Sequence, residues 1–201
     1  VRYACISPGS RNTPLVKAFI ENKNIKCFSH IDERSNAYFA LGIAKKEQEP
    51  VVILTTSGTA TANLFPAIIE SYLSMIPLII ITADRPEELM DSGENQTINQ
   101  VNLYGKYVHK MYDISHNKNI SALQIIEDCY DTAKGYQSTK GPVHVNIRFE
   151  EPLIDDGAEK ISYKITSKES DHKKIQFKIP SCSRPIIIYS GLSSNKPVDI
   201  L

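Results

Sequence analysis

Four short stretches hold the residues whose types and spacing can do chemistry. In SPGSRNTP (7–14), Ser10 and Arg11 stand just ahead of a helix start. Free backbone N–H groups at such a start favour an anion, and a fixed guanidinium beside them suits a carboxylate or phosphate. An arginine facing solvent is the other reading. In SHIDERSNAYFALGIA (29–44), Asp32 and Glu33 open a helix. Acids are favoured there by the helix dipole alone, yet Glu33 would also lie at a ligand-binding edge. In TTSGTATANLFPA (55–67), small residues surround Gly58, so a ligand can approach this backbone closely. In TADRPEELMDSGENQTINQ (82–100), Arg85 is followed by the amides Asn95, Gln96, Asn99 and Gln100. Amides both donate and accept, which suits either a small polar ligand or a hydrogen-bonded loop.

Other chemistries are not written in the chain. The five histidines form neither H-x-x-x-H nor H-E-x-x-H, and the four cysteines form no C-x-x-C. No metal site is read from these residues, and the cysteines are expected to be free thiols. The small-residue turn is not a Walker loop, a G-x-G-x-x-G fingerprint or a G-x-S-x-G elbow. With 23 basic and 23 acidic residues the net charge is zero, which argues against a general nucleic-acid binder. No apolar run approaches the ~20 residues of a membrane helix.

These four stretches each follow an apolar run. YACIS (3–7), IKCFS (25–29), VVILTT (51–56), PLIIIT (77–82), VHKMYDI (108–114) and PVHVNIRF (142–149) are predicted strands. Helical patterns fill 13–22, 33–47, 59–74 and 119–137. In the last, Leu123, Ile126, Cys129 and Ala133 are read as one face. Thr13 is read as a helix cap, with Pro14 in the first turn. Strand–helix alternation with wholly apolar strands predicts an α/β fold, three layers α/β/α around a mostly parallel sheet. In such a sheet, ligands bind beyond the carboxyl ends of the strands, where all four stretches fall.

The composition changes near residue 152. Residues 1–154 are read as one domain, 155–180 as a charged linker, and 181–201 as the opening strand and turn of an incomplete second domain. The chain starts at a valine, so its true N-terminus is expected further upstream.

Taken together, SPGSRNTPL, HIDERSNAYFALGIAK, TTSGTATANLFPAIIE, ITADRPEEL, GENQTINQ and GPVHVNIRFEEPL resemble the N-terminal pyrimidine-binding domain of thiamine-diphosphate enzymes. SPGSR, TADRP and GENQ in this order resemble the branch that serves menaquinone biosynthesis. The resemblance implies that Glu33 is catalytic, bonding N1′ of the cofactor's aminopyrimidine and favouring the imino tautomer that deprotonates the thiazolium. It implies Ser57, Gly58, Thr59 and Asn63, with Glu33, as cofactor contacts. It places Ser10, Arg11, Arg85, Asn95 and Gln96 at the substrate end, for 2-oxoglutarate and isochorismate. The implied reaction is a decarboxylating, C–C bond-forming transfer. The cofactors are thiamine diphosphate and Mg2+ (or manganese), with the diphosphate and metal held by a G-D-G motif that this chain lacks. A homodimer or homotetramer in the cytoplasm is implied, with the active site between subunits. The alternatives are an acetolactate synthase or oxoacid decarboxylase relative, and a non-catalytic α/β module that binds small anions.

Because the implied diphosphate site is missing, the 201-residue chain alone is expected to bind thiamine diphosphate weakly and to show no synthase activity. Calorimetry with magnesium checks this, and sub-micromolar binding would overturn it.

Overall fold

The computed structural model describes residues 1–90, 92–115, 122–136 and 139–154. The expected linker, the strand opening after residue 181 and Cys182 lie outside the described residues. All six predicted strands form: β1 (Tyr3–Ile6), β2 (Lys26–Ser29), β3 (Val51–Thr55), β4 (Leu78–Asp84), β5 (Met111–Ile114) and β6 (Pro142–Arg148). They make one sheet of order β2-β1-β3-β4-β6-β5 in which every pairing is parallel.

Helices cover both faces, as apolar strands of this kind require. On one face, Cys5, Val51, Ile53, Leu78 and Ile80 meet α2 (Glu33–Glu47) and α4 (Phe65–Leu73). The residues α2 buries here, Ala37, Ala40 and Ala44, are all small, which lets its axis approach the sheet closely. On the other face, Ala4, Val52, Leu54, Val143 and Val145 meet α5 (Ala122–Lys134), with α1 (Thr13–Glu21) packed beside them. Both layers are built within residues 1–154. Among the described residues, no helix is long and apolar enough to cross a membrane.

Two helical readings change. The run 59–74 is two helices, α3 (Thr59–Ala62) and α4, because Pro66 has no N–H to give the Ala62 carbonyl. In α5 the buried stripe is Ile125, Cys129 and Ala133, and Ile126 is 64% exposed. The periodicity around Cys129 admits both phases, and the sheet selects the one that buries Ile125. Cys5, Cys27 and Cys129 are free thiols, and burial pushes Cys5 and Cys129 up to about 12.

A polar seam runs through this apolar sheet between β4 and β6. Asn146 and Thr82 are paired in register and wholly buried. Asn146 Nδ2 donates to Asp84 Oδ2 and to Asp113 Oδ1, each at 2.9 Å. Carboxylates accept, so the amide nitrogen must face them and Oδ1 must point the other way. Thr82 Oγ1 donates to that oxygen at 2.8 Å. With its single proton used, Thr82 Oγ1 must accept from His144 Nε2–H, also at 2.8 Å. His144 therefore carries a proton on Nε2, while its buried Nδ1 has no partner, and burial keeps the ring neutral. Asp113 is held in turn by Arg148, with Nε–Oδ1 at 3.2 Å.

Burial holds the His144 pKa down, from 6.5 to about 3. Below pH 6.5 the unfolded chain therefore takes up a proton that the folded chain refuses. Stability from this residue is complete above that pH and falls by about 1.4 kcal/mol per unit as the pH drops toward 3. Burial raises the Asp84 pKa, which acts in the opposite sense: its contribution is lost as the pH rises. Urea midpoints at pH 7, 6 and 5 isolate the histidine when compared with His144→Gln, which keeps a donor for Thr82. The variant's pH slope is expected to be shallower by about one proton, and equal slopes would refute the assignment.

Candidate functional site

Strand order reverses between β1 and β3: the chain leaves β1 toward β2, then crosses back to β3. Crossover helices leave these two neighbours on opposite faces, which opens a crevice at their carboxyl ends. The turns SPGSR and TTSGT flank that crevice.

The first turn is held from within. Asn12 is fully buried; its Oδ1 accepts from Gly9 N at 2.9 Å and its Nδ2 donates to Ser7 O at 2.9 Å. Asn12, not Thr13, occupies the cap position of α1, and it contributes no side-chain cap. Thr13 is the first helical residue and its hydroxyl donates to Ser10 O at 2.7 Å. Pro14 points to Thr13 as the cap, but Asn12 holds that position with its side chain turned inward to close the turn. Ser10 is exposed at the tip. Gly9 is needed for contact between the turns, since a Cβ there would sit 2.6 Å from the Thr56 side chain.

The second turn is clamped by the loop after β4. Gly58 has φ 79°, and a Cβ would meet Gln96 O at 2.6 Å, so glycine is required twice over. Gln96 Nε2 donates to Ser57 O at 3.1 Å. Arg85 Nη1 donates to Ser57 Oγ at 2.7 Å and to Gln96 O at 3.0 Å. Gly58 N donates to the buried Gln100 Oε1 at 2.8 Å. Tyr104, also buried, donates its hydroxyl to Thr61 O at 2.8 Å. Gln100 and Tyr104 thus anchor a loop that local sequence shows only as polar.

Glu33 stands beyond β2 and is half-buried. Asp32 takes the capping role: its carboxylate accepts from Ser35 N at 2.6 Å, and that bond lowers its pKa. Glu33 is thereby left to another partner, and its Oε2 accepts from Asn63 Nδ2 at 3.1 Å. Asn63 follows α3, whose outward residues Thr59 and Ala62 are exposed. A carboxylate thus stands beside a low ledge of small side chains. One turn on, Asn36 is fully buried; its Oδ1 lies 3.0 Å from His30 Nδ1 and its Nδ2 has no hydrogen-bond partner. Ser7 Oγ and Thr55 Oγ1, at the ends of the neighbouring strands, are likewise buried without partners.

Arg11, Arg85 and Asn95 line a second region, an open cleft of about 690 Å³. Of the two readings of Arg11, the arginine facing solvent does not hold, because its guanidinium is already engaged. Arg11 Nη1 donates to Phe149 O at 3.0 Å, its Nη2 pairs with Glu151 at 3.3 Å, and its side chain is 11% exposed. Glu88, Glu94 and Glu150 also line the cleft. The arginines are therefore embedded among acids and bound to backbone. The structure joins Glu33 to Asn63, and Ser57, Gly58, Arg85 and Gln96 to one another. It leaves Ser10 and Thr59 exposed without bringing their side chains to either group.

Sequence reasoning named Gln100 only as one of four amides after β4, without a role of its own, and left Asn12 and Asn146 out of the site. The available signal was polarity out of place: asparagine inside PVHVNIRF, and a glutamine closing a run of amides.

Residues 1–103 match the family described as thiamine pyrophosphate enzyme, N-terminal TPP binding domain. Among curated proteins, the chain is similar to 2-succinyl-5-enolpyruvyl-6-hydroxy-3-cyclohexene-1-carboxylate synthases. The relative from Haloarcula marismortui is 48% identical over 153 residues, 74% of this chain and 26% of that protein. The relative from Lysinibacillus sphaericus is 48% identical over 159 residues, 78% of this chain and 28% of that protein. The relative from Geobacillus kaustophilus is 45% identical over 159 residues, 77% of this chain and 27% of that protein. The chain thus spans between a quarter and a third of the length of these relatives. With a wholly parallel sheet, a switch-point crevice and a matching N-terminal half, the chain belongs to the thiamine pyrophosphate enzyme family, as its N-terminal TPP-binding domain.

Proposed function

We propose that this chain is the N-terminal part of a thiamine-diphosphate-dependent synthase acting in menaquinone biosynthesis. In this reading the whole enzyme is a cytoplasmic transferase that decarboxylates 2-oxoglutarate and adds the four-carbon unit to isochorismate. It is a homodimer or homotetramer with Mg2+ or manganese in a further domain. The names of the relatives support the reaction. The observation that carries the reading is Glu33: a half-buried carboxylate at the ligand edge, relieved of capping by Asp32 and aimed by Asn63.

The residues present fit the cofactor's pyrimidine. A flat ring can lie on the exposed ledge of Thr59 and Ala62, beside a carboxylate able to share a proton with a ring nitrogen. The partnerless Asn36 Nδ2 marks polar capacity at this edge that the described residues do not satisfy. When bound, thiamine diphosphate supplies the carbanion-stabilising chemistry. Glu33 would hold the proton at the ring nitrogen, and Asn63 would orient Glu33. The turn of Ser57 and Gly58 would set the depth at which the ring lies. Ser10, Arg11, Arg85, Asn95 and Gln96 would receive the substrate carboxylates. For Arg11 this requires exchanging the exposed Glu151 for a substrate oxygen while Phe149 O keeps the guanidinium in place.

Two substitutions in the full-length enzyme test this. Glu33→Gln is expected to cut decarboxylation of 2-oxoglutarate by about 10²–10⁴-fold with the melting temperature unchanged, because glutamine bonds but cannot share a proton. Unchanged turnover would make Glu33 only a helix-start acid. Arg11→Ala is expected to cost about ten- to a hundred-fold in kcat/KM for a substrate while sparing cofactor affinity. Arg11→Lys rescues only in part, since lysine lacks the planar fork. Steady-state kinetics with each substrate varied, beside a cofactor titration, separates the outcomes. A fall in cofactor affinity with both substrate constants intact would move Arg11 to the cofactor side.

A further inference from the structure

Gln100 joins the polar seam of the sheet to the turn at Gly58. It is fully buried, and its side-chain hydrogen bonds all run to other parts of the domain. Its Nε2 donates to Asn146 Oδ1 at 2.7 Å and lies 3.2 Å from Ala83 O; its Oε1 accepts from Gly58 N at 2.8 Å. The direction of each bond follows from the last. Asp84 and Asp113 can only accept from Asn146 as carboxylates, so Asn146 presents its oxygen to Gln100. Gln100 must then present nitrogen to Asn146 and oxygen to Gly58. A flip of Gln100 would set oxygen against oxygen at Asn146 and N–H against N–H at Gly58, so the orientation is determined.

Gly58 has no side chain of its own to pack, and its left-handed φ of 79° is open to glycine in several orientations. A hydrogen bond from a residue locked by the sheet removes that freedom. We propose that Gln100 is a positioning residue, which holds the Ser57–Thr59 turn in the one orientation that receives the cofactor's pyrimidine without touching the cofactor itself. The positioning claim concerns the turn; its link to the cofactor rests on the function proposed above.

The test uses the full-length enzyme. Gln100→Met removes both ends of the link at similar length. Without cofactor, the Gly58 amide is expected to exchange hydrogen at least about tenfold faster, while the β3 amides of Ile53 and Leu54 keep wild-type protection. The dissociation constant for thiamine diphosphate, measured by calorimetry, is expected to rise by about tenfold or more. Ile125→Ala, a cavity variant in α5, supplies a control of comparable instability and should change neither readout. Wild-type exchange at Gly58 in Gln100→Met, or equal acceleration in Ile125→Ala, would overturn the proposal.

If Gln100→Met does not fold, Gln100→Glu decides. Its carboxyl still accepts from Gly58, but it must be protonated to donate to Asn146. The charged and titratable groups of its network are Asp84 on β4 and Asp113 on β5, both bonded to Asn146, with His144 bonded to Thr82, Arg148 to Asp113 and Arg85 to Ser57. Cofactor affinity and Gly58 protection, corrected for intrinsic exchange, should be near wild type at pH 6 and worsen toward pH 8. Wild-type behaviour at both pH values would overturn the proposal. Should the wild-type enzyme bind no thiamine diphosphate, the proposed function fails, yet the exchange data still decide what Gln100 does.

Discussion

Asn146 donates to two carboxylates at once, and that single arrangement orders the polar interior of the domain. An amide in the middle of a buried strand has two orientations, and each neighbour must match the one chosen. Asp84 and Asp113 decide it, and Arg148 holds Asp113 in place. From there the tautomer of His144, the hydroxyl direction of Thr82 and the orientation of Gln100 all follow. An apolar seam at these positions would pack as well and avoid the cost of burying polar groups. What the polar seam adds is direction, carried from the sheet centre to the backbone of a loop.

The loops at the carboxyl edge lock together by the same economy of space. Gly9 meets Thr56 and Gly58 meets Gln96, each at a distance where no Cβ fits. Arg85 ties Ser57 to Gln96, and Arg11 ties the loop after β1 to the carbonyl of Phe149 after β6. Two arginines that read as ligand groups are therefore also parts of the scaffold. The two roles are compatible, since a guanidinium carries five donors and its backbone bonds fix the plane in which the others point.

Glu33 differs from these groups in being lightly held. One side-chain amide reaches it, and the helix start behind it is already capped by Asp32. A carboxylate that exchanges a proton with a ligand needs that freedom. The arginines show the opposite condition, with Arg11 bound to a backbone carbonyl and to Glu151.

Much of the fold was legible in the chain. Six apolar runs became six strands, and their alternation with helical patterns implied the parallel sheet and the edge where the loops gather. The motifs were local enough to resemble a family, because turn chemistry and small residues are set within a few positions. The order of strands and the locking of loops were not legible, since they depend on contacts between residues far apart in sequence. The phase of α5 was decided by the sheet it covers: Ile125 and Ile126 are equally apolar, and only packing tells them apart. The cap of α1 was decided by the turn it closes, which needed Asn12 inward. Gln100 read as one amide among four and Asn146 as part of a strand until the fold buried them side by side. The sequence by itself determined which residue types reach the ligand edge, because strand periodicity and turn composition are local properties. Tertiary structure decided which of those residues are free to act and which are held, because that depends on partners the chain meets only after folding.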